Sequence, residues 1–81
     1  MNVYYSKGLI LKELKDYASA VECFNTIIKI GPFYLNGYIS KGLAMKELKN
    51  FNDALIQFDK ALEIDPNFSA AYNSKICLLK F

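Results

Sequence analysis

Apolar positions along this chain recur at spacings of three and four, the period of a helix rather than of a strand. In residues 2–14, Tyr4, Gly8, Leu11 and Leu14 fall on one side of a helix. Ala20, Val21, Phe24, Ile27 and Ile28 do the same over residues 17–30. A polar break at Lys15-Asp16 separates the two segments, and Asp16 can accept a bond from a free backbone N–H at the start of the second. Gly31-Pro32 and Asp65-Pro66 then act as stops, because proline lacks a donor and disfavours helix at the residue before it. The pattern predicts five helices near residues 2–14, 17–30, 36–48, 51–64 and 69–80, with ends good to about two to four residues.

The pattern also repeats. Shifting the chain by 34 residues pairs residues 1–34 with 35–68, and 14 of the 34 pairs are identical, where chance would give roughly two or three. Among the matches are Tyr4/Tyr38, Ser6/Ser40, Lys7/Lys41, Gly8/Gly42, Leu9/Leu43, Lys12/Lys46, Ala20/Ala54, Phe24/Phe58 and Pro32/Pro66. A third copy begins with Tyr72, Ser74, Lys75 and Lys80 at the same offset, and the sequence ends at Phe81. Gly8 and Gly42 recur inside helices, where a missing side chain lets a partner helix approach the backbone, and Ala20 and Ala54 are small as well.

This period and these residues resemble the tetratricopeptide repeat, a 34-residue pair of antiparallel helices. The family's first aromatic corresponds to Tyr4, Tyr38 and Tyr72, and its glycine to Gly8 and Gly42. Its central small residue corresponds to Ala20 and Ala54, its second aromatic to Phe24 and Phe58, and its closing proline to Pro32 and Pro66. A later alanine of the family is met by Ala61 and replaced by Ile27. Lys7, Lys41 and Lys75 depart from the neutral residue usual there, and Ile76 stands where the third glycine would be. The resemblance implies an all-α, right-handed superhelix of five helices in antiparallel pairs, with repeat one over residues 1–34, repeat two over 35–68 and the first helix of a third over 69–81, forming one structural domain.

A core of this size is marginal on surface-to-volume grounds, and a solenoid manages by burying each repeat on its neighbours. That directs attention to the last helix. It carries Tyr72, Ile76, Leu79 and Phe81 with no following helix to cover them. The chain therefore reads as a segment of a longer array, or as one whose open apolar face pairs with another molecule.

Composition narrows the function classes. Ten basic residues against eight acidic ones leave a net charge of +2, and every basic residue is lysine. Without arginine there are no bidentate contacts to phosphates or bases, so nucleic acid is not the expected partner. No apolar stretch reaches the roughly 18 residues needed to span a bilayer, and no basic-then-apolar leader opens the sequence. The expectation is a soluble cytoplasmic module without membrane contact. Histidine is absent, which removes the usual general base near neutral pH and the commonest nitrogen ligand. Cys23 and Cys77 are too far apart in sequence for a Cys-x-x-Cys pair, so no metal, cofactor or catalysis is expected. Cys23 reads as a minor packing residue. The carboxylates Glu13, Glu22, Glu47, Asp53, Asp59, Glu63 and Asp65 alternate with lysines and read as solvated helix faces.

A binding surface remains. In the family that the chain resembles, the first helices of successive repeats line a concave groove. Carried over by position, this groove holds Asn2, Tyr5, Ser6, Leu9, Lys12 and Glu13 from repeat one. Repeat two adds Asn36, Ile39, Ser40, Leu43, Lys46 and Glu47, and the third helix pair adds Ala70, Asn73, Ser74, Cys77 and Lys80. These form rungs: Tyr5, Ile39 and Asn73; an apolar Leu9, Leu43 and Cys77; a basic Lys12, Lys46 and Lys80. Such a surface suits an amphipathic helix or extended peptide with an apolar face and an acidic edge. Alternatively, Leu9 and Leu43 pack partly on neighbouring helices and the lysine rung is solvated surface copied by duplication. Family members that clamp the acidic C-termini of heat-shock chaperones use Lys, Asn and Arg at places held here by Tyr5, Leu9, Ser40, Ala70 and Ser74, so chaperone clamping is not expected. The two readings are an adaptor that binds a protein or peptide in the groove, and a self-associating element in which Tyr72, Ile76, Leu79 and Phe81, or the groove, are covered by another copy.

Overall fold

The computed structural model describes residues 2–79, for Asn2 the backbone only, and consists of five α-helices. They are α1 (Asn2–Glu13), α2 (Tyr17–Ile30), α3 (Leu35–Glu47), α4 (Phe51–Ile64) and α5 (Ser69–Leu79), with no strand among the described residues. The second and fourth match the expected bounds. The first and third stop one residue early, the third also starts one residue early, and the expected end of the fifth at Lys80 lies outside the described residues.

The early stops have a common backbone cause. Lys15 N–H donates to Lys12 and Asp16 N–H to Leu11, while Lys49 N–H donates to Lys46 and Asn50 N–H to Met45. These paired bonds reach back over the last turn and satisfy carbonyls that a helix end leaves open. They require a left-handed residue, and Lys15 (φ 64°) and Lys49 (φ 67°) supply it where glycine is usual. Asp16 then accepts from Ser19 N–H at 3.5 Å, as its sequence position suggested, whereas Asn50 makes no such side-chain bond. At the other helix ends Gly31 and the equivalent Asp65 both have ordinary negative φ. Gly31 is therefore not needed there for its conformational freedom.

Short connections fold consecutive helices back on one another. Packing then runs α1 on α2, α2 on α3, α3 on α4 and α4 on α5. The first helices α1, α3 and α5 also touch in succession, while α2 and α4 do not meet. A stack whose first helices are closer together than its second helices curves around the former, so α1, α3 and α5 form the inner layer.

Two apolar clusters fill the space between layers. One holds Ala20, Phe24, Ile27 and Ala44; the other holds Tyr38, Ile39, Ala54, Phe58, Ala61, Ala71 and Leu78. The glycine of each repeat lies against the aromatic of the next helix. A Cβ on Gly8 would stand 2.6 Å from a ring carbon of Phe24, and one on Gly42 would stand 2.5 Å from the same carbon of Phe58. Both rings are fully buried, so neither can move aside freely.

Equivalent residues do not all share one environment. Tyr38 is 8% exposed and donates its hydroxyl to the Pro32 carbonyl at 2.8 Å, but Tyr4 is 43% and Tyr72 46% exposed. Tyr38 has a packed helix on each side of its own, whereas α1 and α5 each have a helix on one side. The expected inward face of residues 2–14 is corrected accordingly: Gly8 is buried and Leu11 half-buried, while Tyr4 and Leu14 point to solvent.

Candidate functional site

The described residues that sequence position assigned to a groove lie on the first helices α1, α3 and α5. Tyr5 is half-buried and fixed by three contacts. Its ring meets Phe24 at 6.1 Å between centroids and Tyr34 edge-on at 5.8 Å, and its hydroxyl accepts from Ser40 Oγ at 3.3 Å. That bond joins α1 to α3 directly across the inner layer. Ser40 is buried beneath it.

Beyond Tyr5, the rungs differ in depth. Ile39 is 8% exposed and belongs to the core, so it supports the inner face and offers a ligand little area. Asn73 of the same rung is exposed. Leu9 and Leu43 are half-buried, each packed on one of the two clusters with its remaining surface open, and Cys77 beside them is an exposed free thiol. Lys12 and Lys46 are half-buried, with Asn36, Glu13 and Glu47 exposed. Long lysine stems of this kind lie along apolar surface while the ammonium stays in water. Lys80 and Phe81 lie outside the described residues, as does the side chain of Asn2.

Two depressions continue the lysine rung at the C-terminal ends of the first helices. One of about 310 Å³ is lined by Lys12, Glu13, Lys15, Tyr17, Leu43 and Glu47. The other, of about 270 Å³, is lined by Lys46, Glu47, Lys49 and Phe51. Shifting by 34 residues turns Lys12, Glu13, Lys15 and Tyr17 into Lys46, Glu47, Lys49 and Phe51, so the second is a copy of the first, with Glu47 as the shared wall. Each is lined by one aromatic, Tyr17 or Phe51, and by two lysines, of which Lys15 or Lys49 sits at a left-handed turn. The turn residues Lys15 and Lys49 and the aromatics Tyr17 and Phe51 were not singled out for this edge from sequence, although the repeat itself marked their equivalence.

Among the described residues no group of three or more Cys, Asp or Glu side chains is placed to hold a metal ion. No described helix is long and apolar enough to cross a membrane. Lys41 lies below the ordinary lysine pKa of 10.5, chiefly because burial penalises its charge and secondarily because Lys60 is near, with Asp53 opposing. It lies away from the inner face, next to α4.

Comparison with known proteins follows the same division of the chain. Family models described as tetratricopeptide repeat match residues 2–34 and residues 36–68. Among solved structures, the TPR2AB domain of yeast Sti1 in complex with pHSP90 aligns with a TM-score of 0.90 at 30% identity, covering 95% of this chain and 30% of that one. The TPR2B domain of yeast Sti1 in complex with pHsp70 gives the same TM-score and identity, over 95% of this chain and 62% of that one. The first TPR domain of Spaghetti (RPAP3), bound to the HSP90 peptide SRMEEVD, aligns at a TM-score of 0.87 and 22% identity, over 95% of this chain and 61% of that one. At that identity the last match speaks for the fold alone. The chain thus spans less than two thirds of each of these structures. A comparison with curated proteins gives no significant match.

Proposed function

Because the chain belongs to the tetratricopeptide repeat family, we propose that it is a protein-interaction module that holds a peptide segment of a partner across the inner face of α1, α3 and α5. The observation that carries this reading is the successive contact of the three first helices, which sets equivalent side chains of adjacent repeats side by side on one concave face. Leu9, Leu43 and Cys77 give that face an apolar line, and Lys12 and Lys46 give it a basic edge that Lys80 extends in sequence. Asn36 and Asn73 add amide donors and acceptors, and the Tyr5 hydroxyl adds a fixed polar point. Ile39 acts from beneath as packing. The ligand class that matches is a helix or extended segment with spaced apolar residues and carboxylates along one side.

The two yeast Sti1 structures are complexes with pHSP90 and pHsp70, which favours binding of a protein segment as a mode. It does not transfer the ligand. Tyr5, Leu9, Ser40, Ala70 and Ser74 offer no cation for a terminal carboxylate, and Ser40 is already committed to Tyr5. An internal acidic-apolar segment is the better fit.

Selection of a random twelve-residue display library on the 81-residue chain tests this. Enriched peptides should combine apolar and acidic residues, and Lys46→Glu should weaken them about tenfold or more, with a smaller loss for Lys12→Glu. Peptides that bind both variants as tightly as the parent would remove the groove from the account.

A second reading rests on α5, where Tyr72, Ile76 and Leu79 are all exposed. There another copy of the chain covers this face, with Phe81 beside it in sequence. The solution mass then rises with concentration, and Ile76→Asp returns it to about that of a 9.2 kDa monomer. A mass that stays constant up to high micromolar concentration counts against self-association.

A further inference from the structure

Where α5 packs on α4, Lys75 Nζ donates to Asp59 Oδ1 at 2.8 Å. Moving back 34 residues, to the packing of α3 on α2, turns Lys75 into Lys41 and Asp59 into Asn25. The cation is kept and its carboxylate on the preceding repeat is lost. A neutral amide can accept a hydrogen bond but cannot balance an ammonium. Lys41 therefore lacks the acid that its copy uses.

The surroundings of Lys41 make that loss matter. It is half-buried, and its charged neighbours on α4 are Lys60 and Asp53. Burial and Lys60 together outweigh Asp53, which is why the Lys41 pKa is lowered. On α2, Asn25 is flanked at i−3 and i+4 by Glu22 and Lys29, whose charges cancel. Lys41 and Lys60 against Asp53 thus leave one positive charge, which a single carboxylate balances. Asp53, Gln57 and Lys60 stand at i, i+4 and i+7 on one stripe of α4, so Gln57 lies between the two groups that Lys41 feels. Gln57 is 6% exposed and makes no hydrogen bond among the described residues. No described side-chain N or O is sealed from solvent without a partner, so the Gln57 amide opens to the surface. Because α3 packs on both α2 and α4 while those two do not meet, a furrow runs between the second helices on the outer side, with α3 as its floor.

We propose that this furrow is a binding site separate from the groove, in which an Asp or Glu side chain of a partner protein takes the place that Asp59 holds against Lys75. Its carboxylate accepts from the Lys41 and Lys60 ammonium groups and from the Asn25 and Gln57 amides, charge-assisted bonds of the kind seen at Lys75. Lys41 is on the opposite side of α3 from Leu43 and Lys46, so a groove ligand and this one do not compete. The site is built from α2, α3 and α4 alone, all of them inside the described chain.

The probe is the acetylated, amidated tri-glutamate peptide, with tri-glutamine as its neutral control. Each is titrated into the isotope-labelled 81-residue chain at constant ionic strength. Saturable shifts are expected at the Lys41 and Lys60 side-chain methylenes and at the Asn25 and Gln57 side-chain amides. Tri-glutamine should leave these signals in place, and with tri-glutamate bound Lys41 should titrate closer to 10.5. Asn25→Asp, at an exposed position, supplies the carboxylate from within the chain and should weaken the probe about threefold or more at these signals. Lys60→Gln, also at an exposed position, should weaken it by a similar factor, whereas Lys46→Glu should leave the furrow signals unchanged. Shifts confined to the inner face would overturn the proposal and leave the groove reading standing. Equal shifts with tri-glutamine, or binding indifferent to both Asn25→Asp and Lys60→Gln, would overturn it as well. So would succinate saturating the Lys41 signals at lower concentration than the peptide, because the ligand is then a free carboxylate and not a protein segment.

Discussion

At residue 42 the missing methyl group lets the Phe58 ring lie against the α3 backbone, and a Cβ would enter that ring's van der Waals shell. Gly42→Ala sets an overpacking cost of about 1–3 kcal/mol against a gain of about 1 kcal/mol in helix propensity. A net loss centred on about 1 kcal/mol, and at most about 2 kcal/mol, is expected, read as a thermal midpoint lower by roughly 4–8 °C. Lys49 is the opposite case. Its side chain is exposed while its backbone is held left-handed, which costs an L-residue about 1–2 kcal/mol. Lys49→Gly removes that cost and adds freedom to the unfolded chain, so a net gain of about 0.5–1 kcal/mol is expected in urea denaturation. The close approach at Gly42 was legible in sequence, because glycine recurred inside a helical pattern opposite small alanines. The strained turn was not, since lysine carries no signal for positive φ and only the bonds to Met45 and Lys46 impose it.

At the scale of elements, helix period and proline position gave four helices within a residue of their observed bounds, and the start of the fifth. Environment was harder to read. Tyr4, Tyr38 and Tyr72 are one residue type at one repeat position, yet only Tyr38 has a packed helix on both sides of its own and is buried. The ion pair of Asp59 with Lys75 joins residues 16 apart on different helices, a spacing that no single-helix rule detects. The last helix depends on few attachments. Leu78→Ala removes its largest buried side chain, at a cost of about 2–3 kcal/mol. Amides of α5 should then exchange faster while those of α2 and α3 keep their protection, and uniform acceleration throughout would mean that α5 is not a separable unit. Asp59→Asn is expected to cost well under about 1 kcal/mol, because both partners of the pair are substantially exposed.

For the molecule as a whole, the curvature of the stack decides what the surface can do. Sequence equivalence assigned residues to an inner face, but it did not reveal that Ile39 belongs to the core while Asn73 at the same position is exposed. The answer depends on which neighbours each helix has. Burial of Lys41 adds a dependence of stability on pH. Its folded pKa is lowered, so the unfolded state binds more protons between that value and the ordinary 10.5. Stability should therefore rise slightly as pH climbs through that window, and Lys41→Met should remove the rise. The account rests above all on the inner face being where a ligand lies. The most direct measurement is a titration of the isotope-labelled chain with a peptide taken from the display selection, following backbone amide shifts. The account predicts the largest shifts at Leu9, Lys12, Leu43, Lys46, Asn73 and Cys77, with the outer sides of α2 and α4 unchanged. Shifts concentrated on α2 and α4, with the first helices silent, would contradict it.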